Sequence, residues 1–154
     1  MNYPAITIAK WFVAYADADE ADISNLKIQK LLYYAQGHYL ARFNVPLFTE
    51  SIQAWSHGPV VPSVYHEFKS FGSQDVQLKE QDDFTFQDVN DATTILLLDV
   101  WEAYAKFSAW GLRNMTHSEP TWKESFDGNR NVEIPVEQIK NYFDSLLVRD
   151  IPLK

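Results

Sequence analysis

The 154-residue chain contains no cysteine. A disulfide framework and thiolate chemistry are therefore excluded. A surplus of basic residues is missing too: 13 Lys and Arg stand against 21 Asp and Glu, giving a formal net charge of −8 and a pI near 4.8. A nucleic-acid binder needs a basic face to displace counterions, so no direct nucleic-acid partner is expected. An anionic membrane surface is disfavoured for the same reason. Taken as a whole-chain property, this charge suits a basic protein partner. No apolar run is long enough to span a bilayer, and Met1 to Lys10 lacks the basic region and apolar core of a signal peptide. The chain reads as cytoplasmic.

Catalytic signatures are absent as well. The sequence has no Gly-x-Ser-x-Gly elbow, no glycine-rich phosphate loop and no His-Glu-x-x-His motif. His57, His66, His117 and Glu119 are of metal-ligating type, but their spacing matches no metal motif. Neither a metal nor another cofactor is expected, and the chain does not read as an enzyme. There is no internal repeat and no low-complexity segment.

What remains is the composition of a folded globular protein, 46% hydrophobic and 22% charged. The length fits one domain over residues 1–154 with a sizeable core and a loosely held tail from Val148. Aromatic residues reach 15%, enough to leave some on a surface that awaits a partner.

Hydrophobic spacing predicts a mainly α, compact multi-helix domain with at most a small hairpin or short sheet. The first helix covers Ile6 to Ala16 with Thr7 as its N-cap, and a long second helix runs from an N-cap at Ser24 to about Arg42. Ile28, Leu31, Leu32, Ala35 and Tyr39 form the apolar stripe of that second helix. Lys27 and Lys30 fall off the stripe and read as a solvated face. Ser73 to Asp91 reads as loop, with a short strand near Phe84. Asn90 or Asp91 caps a helix from Ala92 to about Lys106 whose apolar residues, Ile95 among them, wrap so much of its circumference that near-complete burial is expected. Ser108 caps the next helix, Asn131 to Ile134 suggests a strand, and Pro135 opens a last helix.

The most punctuated stretch is Ile52 to Phe71. Ile52 to Trp55 alternates as a half-buried strand does, Gly58-Pro59 forces a turn, and Pro62 suits the first position of a helix carrying Val64, Tyr65 and Phe68. The corner reads either as a fold-defining turn or as a presented binding edge, with Trp55, His57 and Tyr65 near the partner. His117 and Glu119, two apart, could pair as acid and base. The local alternative has Thr116 and His117 capping backbone groups, Glu119 at a helix N-terminus and Trp122 packed beneath.

Three blocks resemble the Panacea domain of the SocA-like antitoxin family. They are Leu26-Lys27-Ile28-Gln29-Lys30-Leu31-Leu32-Tyr33-Tyr34-Ala35-Gln36-Gly37, Ala54-Trp55-Ser56-His57-Gly58-Pro59-Val60-Val61-Pro62 with Val64-Tyr65, and Thr116-His117-Ser118-Glu119-Pro120-Thr121-Trp122. They follow the family's order and span nearly the whole chain. The resemblance implies a mostly helical antitoxin of a toxin–antitoxin pair, often carried on prophages and other mobile elements. Such domains act by direct protein–protein binding. It implies structural roles for Leu31, Tyr34, Gly58, Pro59, Pro62, Thr116, His117, Glu119 and Trp122. The cognate toxin is expected to be encoded next door. Some relatives carry a DNA-binding domain, for which this chain leaves no room, so operator binding is not expected. Two competing functions are a regulatory or proteolytic adaptor and a His/Glu-dependent hydrolase.

Overall fold

Ser24 opens the helix around which the others assemble: its hydroxyl accepts from the Lys27 backbone N–H at 3.2 Å. A computed structural model describes residues 2–128 and 132–150, with only the backbone described for 148–150. The expected loose tail from Val148 thus lies outside the described residues, in its side chains up to Asp150 and altogether after it. Helix α1 (Ala5–Ala18) leads into α2 (Asn25–Phe43), which ends where Asn44 takes the left-handed conformation. A two-stranded antiparallel sheet follows, β1 (Gln53–Trp55) and β2 (Gly58–Val60). Then come α3 (Pro62–Phe68), α4 (Asp91–Tyr104), α5 (Ala109–His117), α6 (Pro120–Ser125) and α7 (Val136–Asp150). The architecture is mainly α, with that one small hairpin among the described residues.

From Ile28 to Gly37 helix α2 is buried on all sides, with α1, α4, α5, α7 and the hairpin packed around the helix. The expected stripe accounts for only part of this. Lys30 was expected on a solvated face and is instead wholly buried, and Lys27 is half-buried with its ammonium donating to the Ala105 carbonyl at 2.6 Å. The reason is tertiary. Irregular backbone surrounds α2 on its polar side, and buried carbonyl and amide groups need partners. Gln36 supplies them to Phe48 and Leu47, and Gln29 to Val61, each at 2.8–2.9 Å. Where α7 crosses α2, Gly37 makes the room: a Cβ there would stand 2.2 Å from the Phe143 ring.

Helix α1 begins at Ala5, not after a Thr7 cap; its first N–H donates to the carboxylate of Glu50, 45 residues away, at 2.9 Å. Helix α4 does start at an Asn90 cap, yet it is only half-buried, with Ile95 58% exposed and Leu96, Leu97, Val100 and Trp101 inside. No strand forms near Phe84; Phe86–Asp88 is a 3-10 turn closed by a Thr85–Asp88 capping box. Glu133 makes a single bridge to Gln53 rather than a strand, and Asn131 lies outside the described residues.

Candidate functional site

The hairpin pairs Gln53 with Val60, Ala54 with Pro59 and Trp55 with Gly58. Its two-residue loop is therefore Ser56-His57. Gly58-Pro59, expected to form the turn, instead begins the second strand. Gly58 takes φ +108°, a conformation that favours glycine, and a side chain there would meet Lys30 and Thr116. Pro59 fits because β2 is an edge strand and its missing N–H breaks no ladder. Its carbonyl oxygen accepts from Lys30 Nζ at 2.8 Å. Pro62 stands at the first position of α3.

Helices α5 and α6 hold the hairpin from its other side. Trp122 Nε1 donates to the Trp55 carbonyl at 2.7 Å, and the Trp122 ring stacks on His117 at 3.8 Å between centroids. Thr116 is buried, with its hydroxyl donating to the Arg113 carbonyl at 2.7 Å. Glu119 N-caps α6 without any side-chain cap bond. Its carboxylate turns inward and accepts from the Tyr33 and Tyr34 hydroxyls at 2.8 and 2.7 Å. Tyr33 also shares a short hydrogen bond with Thr121. Leu31 is fully buried on α2.

The electrostatics follow from this burial. Desolvation lifts the Glu119 carboxyl to about 7, against the pull of its two tyrosine donors. Desolvation lowers the Lys30 ammonium to about 7, and the Arg113 charge adds to that. The Tyr33 and Tyr34 hydroxyls are raised by burial and by the Glu119 charge. His117 is lowered by burial and then by Arg113 and Lys30, while a backbone hydrogen bond with Ser56 works the other way. His117 and Glu119 therefore do not meet as an acid–base pair. One faces Trp122 and the other the tyrosines. No group of three or more His, Asp or Glu among the described residues is placed to share a metal ion.

Trp55, His57 and Tyr65 do come together, along a groove of about 300 Å³. Trp55 is buried, Tyr65 half-buried with its ring edge-on to Trp55 at 5.0 Å, and His57 exposed at the loop. The far wall is Trp110, which sequence reasoning passed over. It is 53% exposed, 5.6 Å from the His57 ring, and carries the Arg113 guanidinium over its face at 4.3 Å. A tryptophan followed three residues later by arginine in a short helix is the signal that could have found it.

Comparison with known proteins bears on this constellation directly. The family model described as "Antitoxin SocA-like, Panacea domain" matches residues 28–123, more than half of the chain. The chain belongs to that family. The match takes in most of α2, the hairpin, α3, α4, α5 and the first turn of α6, so all three sequence blocks of this SocA-like domain fall wholly or largely within it. In the folded chain those blocks are one another's hydrogen-bond partners. A curated relative, Antitoxin SocA of Caulobacter vibrioides (strain NA1000 / CB15N), is 41% identical over 68 residues. That segment is 44% of this chain and 36% of the relative, so the chain spans little more than a third of that protein's length. No solved structure matches. Among the described residues, no helix is long and apolar enough to cross a membrane.

Proposed function

We propose that this SocA-like chain is the antitoxin of a toxin–antitoxin pair and neutralises a protein toxin, encoded beside it, by direct stoichiometric binding. The observation that carries the reading is the family match over residues 28–123. The placement of the exposed Trp110 and the half-buried Tyr65 on one groove with Trp55 and His57 supports it, because aromatic side chains at a cleft are the usual anchors of protein interfaces. A non-enzymatic role is supported by the separation of His117 from Glu119, each engaged in packing.

Coexpression tests it. The neighbouring short reading frame is induced with and without this chain, and growth, toxin level and complex formation are followed. Rescue at unchanged toxin level with a stable complex is expected. Faster toxin turnover would make the chain an adaptor instead, and no rescue of any toxic neighbour would overturn the proposal.

A further inference from the structure

The chain as a whole is acidic, but the groove is not. None of the residues that line it is Asp or Glu, in a protein with 21 of them. Its members of basic type are Lys69, at the end of α3, and His57, at the hairpin loop. Arg113, behind the lining residues, stands over the ring of the lining Trp110, and its Nε is buried with no hydrogen-bond partner. Lys30 lies beneath the hairpin floor. The carboxylate in the adjoining signature block, Glu119, is held inward by Tyr33 and Tyr34 and presents no charge to the groove. The apolar and aromatic part of the lining is Leu26, Trp55, Val60, Tyr65 and Trp110, beside the uncharged polar residues Asn25, Gln29, Ser56 and Ser73.

We infer that the groove takes a segment of the partner protein that inserts an apolar side chain between Trp55, Tyr65 and Trp110 and sets an adjacent carboxylate against Lys69 and the Trp110–Arg113 edge. The inference rests on the antitoxin reading and specifies its interface. It reverses what net charge suggests: the partner is acidic where it docks, whatever its overall charge. Local charge governs because Debye screening limits surface interactions to about 8–10 Å at physiological salt. A volume of about 300 Å³ is at the small end of ligand clefts, suited to one or two side chains. A protein carboxylate fits better than a nucleic-acid phosphate, since a polyanion must also approach a surface of net charge −8.

The test uses the complex with the neighbouring toxin, measured by titration calorimetry and by growth rescue. Lys69→Glu and Trp110→Ala are each expected to weaken binding by about tenfold or more, and Lys79→Glu, away from the groove, by less than about twofold. Raising NaCl should weaken wild-type binding and leave Lys69→Glu little affected. An Asp or Glu of the toxin changed to Lys should restore affinity to Lys69→Glu. Thermal unfolding of each variant separates lost binding from lost folding. Rescue and affinity intact in both groove variants would overturn the groove inference and leave the antitoxin reading standing. Failure of the wild-type chain to neutralise any neighbour would overturn both. Displacement of the toxin by a single-stranded oligothymidylate would also overturn the inference, showing a polyanion site instead.

Discussion

Lys30 Nζ donates to the carbonyl oxygen of Pro59 at 2.8 Å from a side chain with no solvent exposure. The contact ties the central helix to the second strand of the hairpin, 29 residues on. It also buries an ammonium with an uncharged partner, an arrangement that costs stability whenever the amine is protonated.

Lys30→Met tests that cost. Methionine fills a similar volume but leaves the Pro59 carbonyl without its donor. At pH 6, where the wild-type amine is charged, the variant is expected to be about 1–3 kcal/mol more stable. At pH 10 it should be about 1 kcal/mol less stable, because the neutral wild-type amine keeps its hydrogen bond at little cost. Urea unfolding at the two pH values checks the change of sign.

Glu119 and Lys30 together shape the pH dependence of stability. Glu119 rises from 4.5 to about 7 on folding, so the folded chain binds more protons across that window and stability falls as pH climbs through it. Lys30 drops from 10.5 to about 7, so the unfolded chain binds more protons above 7 and stability recovers towards 10.5. The two contributions place a minimum near neutral pH, each limb having a slope of at most about 1.4 kcal/mol per pH unit. Glu119→Gln should flatten the acid limb and keep both tyrosines partnered. Denaturation midpoints at pH 5, 7 and 9 that run parallel in wild type and Glu119→Gln would contradict this account.

Gly37→Ala probes the crossing of α2 and α7. The added methyl would meet the Phe143 ring at 2.2 Å, too close for any rotamer adjustment of alanine. A loss of about 2 kcal/mol or more is expected from overpacking, despite the gain in helix propensity. Adding Phe143→Leu should recover part of it, which a double-mutant cycle by thermal denaturation would measure.

Trp122→Phe removes the donor to the Trp55 carbonyl and thins the stack on His117 and Phe126. About 1–2 kcal/mol of stability should be lost. The hairpin should loosen more than the bundle, and hydrogen exchange at Trp55 to Val60 reads this against exchange in α2.

The local parts of this fold were readable because their causes are local. Ser24, Asn90 and Ser108 each place a side-chain oxygen over the N–H three residues on, a geometry set within one helical turn. Pro62 and Asn44 mark a start and a stop for equally short-range reasons. Lys30 was misread because nothing within a turn of it announces a carbonyl arriving from residue 59. Ile95 was misread because apolar character does not say which face of α4 meets a neighbour. Thr7 lost its capping role to the carboxylate of Glu50, which takes the N–H of Ala5 from 45 residues away. Trp55, His57 and Tyr65 could be singled out from sequence, but their common groove required Trp110, carried in by α5.

The sequence by itself determined a mainly helical chain, the N-caps of α2, α4 and α5 and the three blocks that mark its family, since periodicity, capping and motif order are written along the chain. Only the tertiary structure decided that those blocks hydrogen-bond to one another, that Glu119 faces inward and that the groove beside the hairpin carries no acid in an acidic protein. These are properties of which residues meet across long separations, and burial and electrostatics depend on that meeting.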